Sequence, residues 1–482
     1  MAATAVCARH RSRAATLTAP TYANKPRRCE TTAADAVDKA LAALFTETSR
    51  AVAHRLQAAG LPYTVNAERT IIERDSPTRW SASKRVEARN ILATGPTTLP
   101  GAPLLGEKEI ASVHRCAVAL AELAREALPY WVPFPGPVGP LTDVGLSGLQ
   151  WENDPAGWVA RVIVLPALFH HLAGLPSLDH ADEAAAQRFA KEVLRVATAA
   201  NREYLLSVPL SGVDLDGTDT LAADSVRVRQ LSAVEQGAIF DQRGGPVSLT
   251  TNFNELPCTV LEFQTSGPRK EQFLRSHELV MPLITAFQLH GFHLAGHDMA
   301  ERAEPQWVFA GVSHHPLVLP KQPRQSTTLT AEIFQAITDT GKQLERYHLS
   351  EPISPQDLAL HRFATGLARD TYADGVLDFA IVLESLLLPY DRDARRGDLG
   401  YRFRVHGAHY LTERADQRSA ITKQLSNIYE IRSRLVHGAK YPGRAQTRAA
   451  YDAAYDFARC GLLRAVKNGF PTAKTFNEMV LR

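Results

Sequence analysis

Apolar residues recur at helical spacing from about Ala33 to Gly60, where Ala36, Ala40, Leu44 and Ala51 align and Gly60 ends the run. A short extended piece, YTVNAERTIIER, follows, and then a helix across EKEIASVHRCAVALAELAREAL. Beyond the proline-rich LPYWVPFPGPVGP, two further helical stretches are expected near 155–173 and 181–203, so 35–204 reads as a mainly helical N-terminal region. Near Leu205 the period shortens. YLLSVPLSGVDLDGTDTLAADSVRVRQLSAVEQ alternates apolar and polar positions around Asp-Gly, the pattern of strands and hairpins. VSLTTNF, CTVLEFQ, LVMPLITAFQLHGF and QWVFAGV continue in strand-like runs to about Pro320, predicting a β-rich domain over 205–322. A linker (KQPRQST) and a connecting helix (LTAEIFQAITDTGKQLERY) fill 323–354.

From Pro355 the helical period returns, with stretches at 355–370, 372–388, 398–412, 415–437 and 445–468 separated by short charged or Gly/Pro turns. Such a series predicts an antiparallel all-α bundle within 355–482. The expected fold class is therefore α+β and multidomain: a helical N-terminal region, a β-rich middle domain and a C-terminal helical bundle.

The length of 482 residues fits that division, since it exceeds what one core supports. Hydrophobic content of 45% and charged content of 22% are those of a soluble globular protein. A formal net charge of +3 neither demands nor excludes a nucleic-acid partner, so any basic footprint is local. The five cysteines (Cys7, Cys29, Cys116, Cys258, Cys460) are scattered, without a CxxC pair. That argues against a disulfide framework or a cysteine-ligated zinc site and suits a cytoplasmic protein. No apolar run approaches the ~18 residues of a membrane span. Residues 1–34 carry Arg9, Arg11, Arg13, Lys25, Arg27 and Arg28 before the first acid, Glu30. A disordered basic leader is expected there; a transit peptide or an early start codon has the same composition.

Two charged residues fall on apolar helix faces. In RADQRSAITKQLSNIYEIRSRLVHG, Ile421, Leu425, Ile428 and Leu435 form one stripe with Arg432 in its middle. A guanidinium on a core face costs several kcal/mol unless it is paired or faces a cleft. Gly438 is suited to end the helix, which leaves His437 at its C-terminus. In ADGVLDFAIVLESLLLP, Glu384 lies among Leu377, Ile381 and Leu388, so it is expected to be a buried acid paired with an arginine, Arg432 or Arg402.

The segments VLDFAIVLESLLLP, DLGYRFRVHGAHYLTE and IYEIRSRLVHG resemble the Apea-like HEPN domain, over roughly 355–470. That resemblance implies a helical bundle that dimerises and, in many members, a metal-independent endoribonuclease carrying an Arg-x4–6-His motif. Carried over by position, the catalytic pair is Arg432 and His437, with Glu384, Ser433 and Arg402 in support. Arg434, Arg396 and Lys440 are candidates for holding the RNA backbone; a solvated charged face is the alternative for each. Ser433 departs from the pattern, since many active members have Asn, Asp or His directly after the arginine. The motif itself is short: about one Arg-x4-His pair is expected here by chance, and Arg404/His409 is another instance.

The chemistry suits the residue types. RNA is cut without a metal when its 2′-OH attacks the adjacent phosphorus, which needs a base that titrates near neutral pH and a fixed cation against the phosphoryl oxygens. No cofactor is expected. Expected partners are RNA, a second copy of the chain and a regulatory or antitoxin protein, because such modules act as toxins or in defence against phage. The competing expectation is a catalytically silent HEPN module that binds RNA or nucleotide or serves as a dimerisation scaffold. His290, His293 and His297 in HGFHLAGH resemble a metal cluster, but the glycines interrupt the register and no HExxH is present.

Overall fold

The computed structural model describes residues 28–76, 79–90, 98–99, 102–125, 155–175, 182–199, 201–242, 257–267, 269–296, 299–304, 312–315, 317, 327–349, 351–389, 399–438 and 442–480. The leader as far as residue 27, the expected strands at 247–253 and most of 306–312, and the candidate RNA-binding residues Arg396 and Lys440 lie outside this set.

The N-terminal region is built from α1 (Arg28–Ala58), α2 (Glu107–Leu123), α3 (Pro155–Val159), α4 (Leu165–Gly174) and α5 (Glu183–Thr198), with one π-helical turn at Ala160–Val164 joining α3 to α4. Helix α1 begins at Arg28, inside the stretch expected to be leader. Asp182 caps α5, accepting from the amides of Ala184 and Ala185. The apolar faces of these helices, including Leu41, Phe45, Leu120, Val164, Leu168 and Val193, close a first core. The short extended piece proves to be a long hairpin, β1 (Thr64–Ser76) against β2 (Arg79–Asn90). The four residues of β3 (Thr98–Leu99) and β4 (Ala102–Pro103) form a small second ribbon.

The middle of the chain holds an antiparallel sheet. Its strands are β5 (Arg202–Ser211), β7 (Thr220–Ala223), β8 (Val226–Gln230), β9 (Thr259–Gly267), β10 (Ala295–Gly296), β11 (Met299–Glu304) and β12 (Val312–His315). They run in the order β12-β11-β5-β9-β8-β7, with β10 also on β5. A parallel pair, β6 (Val213–Leu215) with β13 (Thr327–Leu329), stands apart. Helix α6 (Ala233–Gln242) follows β8, and Gly237 brings it against the backbone of Thr70 in β1, where a Cβ has no room. The run LVMPLITAFQLHGF is not a strand: it lies mostly in α7 (Arg269–Leu289). A run that is apolar on every side carries no period to separate the two conformations.

Helices α8 (Ala331–Leu344), α9 (Pro355–Ala368), α10 (Tyr372–Leu387), α11 (Leu399–Leu411), α12 (Ala415–His437), α13 (Arg444–Asn468) and α14 (Ala473–Val480) complete the chain. Ser354 and Thr371 cap α9 and α10 through their hydroxyls. The sheet and these helices share one continuous core that runs from Leu206 to Phe476. The middle and C-terminal segments thus bury their apolar faces together. No helix among the described residues is long and apolar enough to cross a membrane.

Candidate functional site

Helix α12 buries Leu425, Ile428 and Ile431. Arg432 is therefore beside the core stripe rather than in its middle, because the buried position after Ile428 is taken by Ile431; Ile421 and Leu435 are only partly buried. The helix ends as expected: Gly438 adopts φ 67° and its amide donates to the Arg434 carbonyl at 2.9 Å. His437, one residue earlier, is exposed.

Helix α10 is apolar on nearly every side and buries Val376, Phe379, Val382, Leu383, Leu386 and Leu387. Leu377, Ile381, Glu384 and Leu388 form its half-buried face instead. The expectation of a buried Glu384 is corrected accordingly: its side chain is 28% exposed. Its expected partner is present. Arg432 Nε lies 3.5 Å from Glu384 Oε1, with the arginine side chain 30% exposed. Burial pushes the Glu384 carboxyl above its ordinary value, and the charge of Arg432 offsets this only in part.

This pair is loose. Its closest approach is longer than a charge-assisted hydrogen bond. Among the described residues, Arg432 makes no side-chain hydrogen bond and no ion pair other than that with Glu384. Ser433 and Arg402 are half-buried and also without such contacts among the described residues. Arg402 acts as a charge on His406, one turn along α11, and does not pair with Glu384. Arg434 sits 3.8 Å from Glu430 on its own helix. Arg432 and His437, five positions apart, project roughly 140° apart around the helix axis. One helix does not bring them together.

The second Arg-x4-His pair is arranged differently. Arg404 Nη1 reaches Ser426 Oγ at 3.4 Å, and His409 is held toward its neutral form by burial and by Arg418. The histidines of HGFHLAGH are also engaged elsewhere: His290 Nε2 is 3.0 Å from Thr340 Oγ1, and the His293 ring packs on Tyr455. Among the described residues no group of three His, Cys, Asp or Glu side chains is placed to hold a metal, and His297 lies outside them. Cys116 is buried, and burial pushes its thiol up to about 11.

Besides Asp357 at the start of α9, the bundle buries Asp378, whose side chain is 4% exposed. Arg362 Nη1 donates to Oδ1 at 2.9 Å and Arg369 Nε to Oδ2 at 2.7 Å. The available signal was an aspartate inside the apolar run VLDFAIV, preceded by one arginine on the helix before it and one just past that helix's end.

No family model, curated protein or solved structure matches the chain.

Proposed function

We propose that the C-terminal bundle is a metal-independent endoribonuclease module, with Arg432 as the phosphate-binding cation and His437 as the acid–base group. The observation that carries this reading is the state of Arg432, a half-buried guanidinium with its Nη1 and Nη2 donors unused among the described residues. In the proposed reaction His437 takes the proton from a ribose 2′-OH, and the oxygen attacks the adjacent phosphorus. The bond to the 5′-oxygen breaks as that oxygen takes a proton from the His437 imidazolium, leaving a 2′,3′-cyclic phosphate and a 5′-hydroxyl. The Arg432 fork neutralises charge on the non-bridging oxygens as they gain it. Because the two side chains diverge on α12, the proposed cleft is composite, formed where two copies pair their motifs across a two-fold axis.

The test is cleavage of single-stranded RNA, with and without EDTA, by the full chain and by His437→Ala. His437→Ala is expected to lose on the order of 10²–10⁴ in rate. It should retain its fold, since an exposed residue before a glycine carries little packing energy. His409→Ala should cleave as the parent does. A second reading, a silent module that binds RNA or serves as a scaffold, is favoured by the Arg432–Glu384 contact and by Ser433. Cleavage by His437→Ala at the parent's rate would overturn the assignment to this site, and RNA binding without cleavage by the parent would leave that second reading standing.

A further inference from the structure

We infer that Glu384 positions Arg432 and makes the site selective for the singly charged phosphodiesters of an RNA backbone over doubly charged terminal phosphates. This rests on the proposed role of Arg432 as the phosphate-binding group.

The argument starts from which nitrogen is used. An arginine offers two donor edges, one through Nε and one through its terminal nitrogens. Glu384 makes its closest approach at the first, at Nε, and the terminal nitrogens make no hydrogen bond among the described residues. A carboxylate in this position biases the orientation of the guanidinium by its charge without accepting a hydrogen bond from the donors that an oxyanion needs. The bundle builds its structural ion pair in another way. At Asp378 both carboxylate oxygens are taken, at 2.9 and 2.7 Å, by two arginines. Neither partner at Glu384–Arg432 is saturated.

Charge gives the selectivity. The positive charge of Arg432 and the negative charge of Glu384 nearly cancel at a distance, so a ligand gains mainly from the short-range bonds to the free edge. A phosphodiester carries one negative charge and a terminal phosphate nearly two above pH 7. The second charge finds no uncompensated cation in the pair, and it is repelled by the Glu384 carboxylate. At a part-exposed site that repulsion is worth roughly three- to tenfold in affinity.

The test uses the full chain at pH 8 and low ionic strength, with a fluorescent single-stranded RNA displaced by two competitors. One is the dinucleoside monophosphate UpU, which holds a single diester; the other is uridine 3′-monophosphate, which holds a single monoester. In Glu384→Gln the ratio of the two inhibition constants should move three- to tenfold toward the monoester. Glu384→Asp keeps the charge but shortens the reach. It should bind both competitors more weakly at the parent's ratio, which separates charge from positioning. Arg432→Ala should lose both competitors. If Arg432→Ala binds them as the parent does, the role given to Arg432 fails. If Arg432→Ala loses binding but Glu384→Gln leaves the ratio unchanged, the role given to Glu384 is overturned while that of Arg432 survives. Circular dichroism on each variant excludes unfolding as the cause, and a competitor ratio is insensitive to the fraction of active protein.

Discussion

Asp378 offers a stability test in which the sign, and not only the size, is predicted. Its carboxylate is 4% exposed, while the arginine side chains that hold it are 36% and 40% exposed. Arg362→Ala or Arg369→Ala removes one charge-assisted bond but leaves the other, so each should cost about 1–2 kcal/mol, the usual range reduced for the exposed guanidinium. The double variant leaves a nearly buried carboxylate with no cation and should cost about 3–5 kcal/mol. Asp378→Asn then separates the explanations. In the parent it removes the charge that both arginines hold and should destabilise. In the double variant it removes an uncompensated buried charge and should stabilise. Urea unfolding of the full chain, followed through hydrogen exchange of amides in α9 and α10, reads this core apart from the N-terminal one. If Asp378→Asn destabilises both backgrounds equally, the carboxylate is not held by these arginines and its burial needs another cause.

Two further outcomes are expected. The Glu384 carboxyl is raised by burial above its ordinary 4.5, so folding favours its protonated form; the associated cost is absent at low pH and grows as pH rises through the window above 4.5. Thermal midpoints of Glu384→Gln should accordingly match the parent near pH 4 and exceed it at pH 7, and a parent that gains on the variant with rising pH would contradict the assigned cause. Gly438→Ala places a side chain at φ 67° in open space, so its cost of about 1 kcal/mol comes from the backbone alone and should appear in urea midpoints without any loss from a clash.

Much of the helical architecture was legible. The stretches read at 355–370, 372–388, 398–412, 415–437 and 445–468 became α9 to α13, because each carries a 3.6-residue apolar period and most are punctuated by capping hydroxyls or glycine. Only α14 was missed there, a short helix that buries little beyond Phe476. The same reasoning failed where period is absent. The apolar run of α7 reads equally well as a strand, and the interior Pro282 did not stop the helix. The β1–β2 hairpin is largely charged, and its twelve-pair register is set by backbone bonds that leave little trace in side-chain order. Within the site, an arginine partner for Glu384 was legible only as a choice between Arg432 and Arg402, and the structure pairs it with Arg432. The depth of each was not legible. Helix α10 is apolar on nearly every side, so spacing alone did not tell that Asp378 faces inward and Glu384 lies at the margin.

Two of the three acids of α10, Asp378 and Glu384, bear on how the site is understood. They stand six residues apart on one helix, yet one is saturated by two close arginines and the other touches one arginine at 3.5 Å. A contact of that length, between side chains nearly a third exposed, contributes little to stability, at most about 1 kcal/mol. The burial of Glu384 opposes even that. An arginine retained only for structure at this margin gains almost nothing over an aliphatic residue, which would extend the stripe formed by Leu425, Ile428 and Ile431 at no desolvation cost. Stability therefore gives a weak account of Arg432. What the geometry does preserve is a guanidinium approached from one edge and without a hydrogen bond at the other among the described residues, five positions before an exposed histidine on another face of α12. That arrangement costs the fold something, and an anion taken at the free edge is the simplest return for it.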